Sequence, residues 1–358
     1  MAEEEAAAVI KVGSRKSPLA LAQTNYVVEQ LKKFHTEKKF EIVTITTTGD
    51  HILDTALSKI GEKALFTKEL EVALTDKEVD FVVHSLKDLP TSLPDGLVVG
   101  AICKRVNPHD VVVLKTRHKG KTLASLDPGS TIGTSSLRRV AQLRRRYEHL
   151  KFVDIRGNLN TRFKKLEEGT QFDGIVLAAA GLIRMGWEDK ITQVLSPEDC
   201  MHAVGQGALA IECRSHDTEI LSLIESLSHQ ETTLCCVSER AFMKALEGGC
   251  SIPVAVSTYY KDGKIHMKGG VYSLDGSEAL MDSVTKTCKA DGDDDPPSKK
   301  MRRDESSGCC SEVGVASVGN LSSHLLHDAA QTGQDLAELL LASGAKDILN
   351  ALKESQSK

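Results

Sequence analysis

Short runs of β-branched and other apolar residues recur through the first half of the chain: VIKVG, FEIVTITT, VDFVVHS, VVVL, STIGTSS, KFVDIRG and GIVLAAAG. Each precedes ten or more residues with helical spacing, a rhythm that predicts parallel-rich α/β layers. Ligands of such sheets bind beyond the carboxyl ends of the strands, so the residues there carry the functional question. After about Thr233 the pattern changes. VSERAFMKALEGG predicts a helix, and IPVAVSTYYKDGKIHMKGGVYSLDG predicts two or three strands joined by a KDGK hairpin turn. This reads as a smaller α+β domain. From Met281 to about Gly314, charge and Pro, Ser and Gly replace apolar periodicity, which predicts a disordered loop. GQDLAELLLASGAKDILNALKE then closes the chain as an amphipathic helix with a glycine break.

At 358 residues the chain is long enough for two or three domains with clefts between them. Aromatic residues make up only 4%, which argues against base stacking and nucleic-acid partners. The acidic start MAEEEAAAVIK has neither the charge nor the apolar block of a targeting segment. The longest apolar run, GIVLAAAGLI, is far short of the roughly 20 residues of a membrane span. A cytoplasmic protein without a membrane partner is expected. Nine cysteines, two adjacent pairs among them and no C-x-x-C, give no zinc pattern, and no metal is expected.

The net charge of −5 conceals a basic block: residues 134–165 hold ten Lys or Arg against Glu148 and Asp154. In GTSSLRRVAQLRRRY, Thr134 or Ser135 is expected to cap a helix whose apolar face is Leu137, Val140, Ala141 and Tyr147. Arg138 and Arg139 then fall in the first turn, where the helix dipole already disfavours a cation by about 0.3–1 kcal/mol. An anion is expected to compensate, held by backbone N–H groups, hydroxyls and guanidinium forks; two ordinary surface arginines are the alternative. Arg156 before Gly157, Arg162 on the following helix, Arg184 after GIVLAAAGLI, and Arg15 with Lys16 ahead of Ser17 and Pro18 repeat the design. Cations at four strand ends favour a polyanionic ligand. VDFVVHSLKDLP ends a buried strand at His84 and Ser85, with Lys87 and Asp88 next. A carboxylate there can move protons or stabilise a cation, or simply open the next turn. GQGALA follows no convincing strand and is discounted as a dinucleotide fingerprint.

Taken in order, HSLKDLP, GTSSLRR, IRGNLNTR, AVGQGALAIE and LEGGCSIPVAV closely resemble the porphobilinogen deaminase family over nearly the whole chain. The resemblance implies a three-domain, monomeric enzyme of tetrapyrrole (haem) biosynthesis. Its first two domains would be periplasmic-binding-protein-like α/β units and its third a smaller α+β unit. The corresponding spans are 1–104 with 205–228, 105–204 and 229–358. It would join four porphobilinogen molecules head to tail, releasing ammonia each time, and hydrolyse off linear hydroxymethylbilane. The resemblance places a dipyrromethane cofactor on Cys250, where a thiolate is an apt nucleophile. It makes Asp88 the catalytic acid/base and cation stabiliser. It gives the cofactor Ser85, Lys87, Ser135, Ser136, Arg138, Arg139, Arg162 and Arg184, and the substrate Arg15, Ser17, Lys63, Phe66 and Arg156. A plain anion-binding module of periplasmic type would share the cationic cradles without needing Cys250, and a nucleic-acid binder could use the basic block but would show steep salt dependence.

Overall fold

The computed structural model describes residues 9–51, 66–246, 252–288, 313–317 and 321–356. Its first part comprises β1 (Val9–Arg15), α1 (Pro18–Phe34), β2 (Lys39–Ile45), α2 (Thr48–His51), α3 (Lys68–Thr75), β3 (Phe81–Ser85) and β4 (Leu97–Ile102). The second part comprises β5 (Asp110–Leu114), β6 (Thr131–Gly133), α4 (Leu137–Arg146), β7 (Lys151–Val153), α5 (Leu159–Glu168), β8 (Gly174–Ala178), α6 (Ala179–Arg184) and β9 (Gln193–Val194). The chain then returns as β10 (Leu209–Arg214) and α7 (Thr218–Glu225). The last part holds α8 (Gln230–Ala245), β11 (Val254–Lys261), β12 (Lys264–Tyr272), β13 (Ala279–Thr287), α9 (Ser323–Ala342) and α10 (Ala345–Gln356).

Two five-stranded sheets, ordered β2-β1-β3-β10-β4 and β7-β6-β8-β5-β9, share one plan. In each, three neighbouring strands run parallel and a fourth is inverted. The inverted strand of the first sheet, β10, arrives only after the chain has crossed to the second sheet and back. Two crossovers therefore join these α/β units, and strand ends of both face one cleft. β4 and β10 are buried at every position and lack the alternation of a one-sided strand.

Local chemistry sets the elements as anticipated at several points. Ser17 caps α1, accepting from Ala20 N at 3.3 Å, with Pro18 at the first helical position. Asp262 and Gly263, at φ 52° and 73°, make the two-residue β11–β12 hairpin turn that needs positive φ at both centres. The expectation of a disordered loop from Met281 is corrected: residues 279–287 form β13, paired with β12 throughout. Its exposed edge position tolerates the polar pattern that hid it. Residues 289–312 lie outside the described residues.

α8, buried at every position from Thr232 to Phe242, is the hub of the third part. It packs against α9 so closely that a Cβ on Gly333 would stand 1.9 Å from Ser238 O. Its apolar side chains share one core with Leu86, Leu89, Val99 and Ile102 of the first part. Glu239 receives both terminal nitrogens of Arg105 at 2.7 Å and Gly205 N at 2.7 Å, which ties the helix to both crossovers. The second α/β unit keeps its own cores.

Candidate active site

A cavity of about 370 Å³ opens between the two α/β units. The first contributes Arg15, Ser17, Gln23, Phe66, Ser85, Lys87 and Asp88; the second contributes Arg139, Arg156, Asn158, Arg162 and Arg184; Gly207 comes from the return crossover. Six cationic side chains thus line it with one carboxylate, Asp88, among the described residues. Asp88 ends the short 3-10 turn Leu86–Asp88 directly after β3, with Leu86 and Leu89 buried on either side. The turn exposes the carboxylate while anchoring the backbone.

The guanidiniums are fixed by short bonds beside the cavity. Arg139 donates to Asp110 Oδ1 at 2.7 Å and to Val176 O at 2.9 Å. Arg156 Nε donates to Asp154 at 2.6 Å, Arg162 Nε to Gly157 O at 2.8 Å, and Arg184 Nη2 to Gly207 O at 2.7 Å. Arg15 lies 4.3 Å over the Phe66 ring, a cation–π contact that orients both. Burial, reinforced by Arg139 and Arg156, lowers Arg162 to about 10. Burial likewise lowers Arg184 to about 10. Lys87 is lowered by desolvation, with Asp88 opposing and Arg139 adding to the fall. The cleft thus holds cations at an energetic disadvantage that an anion relieves.

Three of the residues read from the sequence serve elsewhere. Arg138 does not line the cavity: its Nη1 is buried against Asp110 Oδ2 at 2.7 Å and also donates to Met201 O. Ser136, rather than Thr134 or Ser135, caps α4, and Ser135 donates to Ile155 O. Lys63 and Cys250 lie outside the described residues. Sequence reasoning missed Gln23, whose Nε2 donates to Ser85 Oγ at 2.8 Å. It also missed Asp110 and Gln206, whose Nε2 donates to Asp110 at 2.8 Å. A carboxylate opening the fully buried strand DVVVL was the available signal for Asp110, since such a charge requires partners.

The lining suits a tethered dipyrromethane, whose two rings each bear an acetate and a propionate. Arg139 Nε, buried without a hydrogen-bond partner, adds an unsatisfied donor to the cationic surplus. Among the described residues no cluster suits a metal ion, and no helix is long and apolar enough to cross a membrane.

A cleft between two α/β units with cationic walls and, among the described residues, one carboxylate at a strand end marks an α/β enzyme for a polyanionic ligand. The model of the porphobilinogen deaminase dipyrromethane-cofactor-binding domain matches residues 10–222, and that of the porphobilinogen deaminase C-terminal domain matches residues 233–296. The chain belongs to the porphobilinogen deaminase family. It is 52% identical to the porphobilinogen deaminase of Synechococcus elongatus over 77% of this chain and 86% of that one. Identity to the Nostoc porphobilinogen deaminase is 46%, over 96% and 94% of the two chains. With that of Desulforamulus reducens it is 44%, over 97% and 99%. Family membership favours the enzyme over the plain binding module.

Proposed function

We propose that the chain is a hydroxymethylbilane synthase, a transferase that condenses porphobilinogen units head to tail and releases the linear tetrapyrrole. The carrying observation is that Asp88, the one carboxylate lining the cleft among the described residues, has Arg15 and Lys87 on its own wall and faces Arg139, Arg156, Arg162 and Arg184 across it. Dipyrromethane, bound through Cys250, supplies the nucleophilic pyrrole carbon on which the product is extended.

The side chains divide the remaining work. Arg15, Arg139, Arg156, Arg162 and Arg184, with Lys87, bind and orient acetate and propionate groups, because a planar guanidinium fork matches a carboxylate. Ser17 and Ser85 stand among them as hydroxyl partners, Ser85 oriented by Gln23. Phe66 offers its ring to a pyrrole, and Lys63 a further cation. Ser135, Ser136 and Arg138 act one step back: they shape the start of α4 and so aim Arg139. Asp88 accepts pyrrole N–H groups, stabilises the positive charge that develops as the aminomethyl nitrogen leaves, and takes up the proton released after carbon–carbon bond formation.

The division into 1–104 with 205–228, 105–204 and 229–358 is supported by the three sheets. A monomer acting in the cytoplasm belongs to the same proposal. Intact-mass measurement tests the reading: native protein should carry two pyrrole rings, and Cys250→Ser should carry none. Full activity from protein with a bare sulfur would overturn it.

A further inference from the structure

Arg240, on α8, is among the described residues the largest side chain buried almost completely, at 1% exposure. Its described hydrogen bonds all go to backbone carbonyls. Nη1 donates to Leu89 O at 3.1 Å, Nη2 to Pro90 O at 2.6 Å and to Val313 O at 3.0 Å, and Nε to Val313 O at 3.2 Å. A buried guanidinium satisfied in this way is costly, and an apolar side chain of similar volume would fill the space more cheaply. What the charge provides is geometry, because a planar fork holds several acceptors at fixed angles.

Those acceptors are not scattered. Leu89 and Pro90 immediately follow Asp88, and Leu86 and Leu89 pack in the same core as Leu234, Val237 and Ala241 of α8. The backbone of the catalytic turn is therefore held by α8 through apolar packing from one side and by Arg240 at its exit. α8 ends at Ala245, five positions before Cys250 in the sequence. Val313 leads into the segment that pairs with β4 at Val99, so the same fork also gathers the chain as it rejoins the first sheet.

We propose that Arg240 is a positioning residue for Asp88, fixing the carboxylate's turn to the helix that leads to Cys250. This rests on Asp88 being the catalytic carboxylate. Substrate carboxylates are gripped by other side chains, so the effect falls on turnover rather than on binding.

The test uses full-length Arg240→Met and Arg240→Lys with Asp88→Asn beside them. Arg240→Met should lower kcat by about 10²-fold, the scale of a roughly 1 Å misplacement, with KM within about threefold of wild type. The acid limb of its kcat profile should move, and exchange of the Leu89 amide, which donates to Leu86 O at 3.1 Å, should quicken. Arg240→Lys, keeping the charge without the fork, should recover part of kcat. Folded variants with wild-type kcat and pH profile would overturn the proposal, as would a KM that rises in step with the loss. Failure of both variants to fold would also overturn it, by making the guanidinium a requirement of the fold. Asp88→Asn separates the two ideas: near-normal turnover there removes the underlying assignment, whereas an inactive Asp88→Asn beside a normal Arg240→Met removes only this one.

Discussion

Asp110 grips Arg139 at 2.7 Å from beneath the cleft wall, and its other oxygen holds Arg138 at the same distance. Both guanidiniums are almost wholly buried, and only Arg139 lines the cavity. Burial alone would raise the Asp110 carboxyl; the two arginines reverse this and hold it far below its ordinary 3.8. Its stabilising contribution is therefore fully present above the ordinary carboxylate range and is lost only as pH falls into strong acid. Asp110→Asn strands two buried cations and should destabilise the protein by about 3–5 kcal/mol, measured by urea unfolding at neutral pH. Dipyrromethane loading, read by intact mass, should fall with it.

That relationship also marks the limit of what the sequence discloses. The two arginines are neighbours in GTSSLRR, and helical geometry points them about 100° apart, yet their shared tie to Asp110 and the placing of Arg139 alone in the cavity wall are set by the tertiary fold. Features fixed by adjacent residues were legible: the Ser17–Pro18 helix start, the Asp262–Gly263 turn, the Leu86–Asp88 strand end and the glycine break between α9 and α10 at Gly344, φ 101°. Features fixed by tertiary context were not. LVVGAI and LAIECR are strands buried on both faces, without an alternating signal, and ALMDSVTKT is an exposed edge strand whose polarity resembles a loop. Arg15, Arg156, Arg162 and Arg184 were legible because each lies at a strand end or on the segment just after one, and strand ends meet at the cleft.

Asp88→Asn should keep the fold, because the carboxylate is exposed and the turn is anchored by Leu86 and Leu89. It removes the proton acceptor and the negative charge together. Turnover should fall by about 10²–10⁴-fold, the range typical of a lost general acid or base, while circular dichroism and Tm stay near wild type. Single-turnover assays with porphobilinogen check this, and near-normal product formation would refute the assignment.

Arg162 is placed for its ligand at the expense of the ligand-free protein. Burial and the neighbouring guanidiniums lower it to about 10, so it remains charged at neutral pH in a site that disfavours the charge. Such a depressed base opposes folding below its folded value, and the penalty is relieved only as pH rises through about 10. In the Cys250→Ser protein, Arg162→Gln should therefore raise stability by about 1 kcal/mol, after discounting for solvent screening. With Cys250 intact, the same change should reduce dipyrromethane loading. Thermal unfolding of the first protein and intact mass of the second give the two readouts, and a fall in Tm of the first would count against the electrostatic account.

Glu71, on α3, sits almost wholly buried beside a second acidic group. Desolvation raises it above its ordinary 4.5, and like charge from Glu212 adds to the rise, with Thr67 and His84 opposing. His84 is itself engaged by Glu212, Nε2 to Oε2 at 2.9 Å. A carboxyl whose folded value is raised leaves stability untouched below the unfolded value near 4.5 and subtracts from it as pH climbs through the folded value. Glu71→Gln, which cannot ionise, should accordingly raise Tm at pH 7 to 8 and leave it unchanged at pH 4. Paired melting curves at the two pH values measure the difference directly. An equal shift at both would mean that packing at Glu71, rather than its charge, sets the cost.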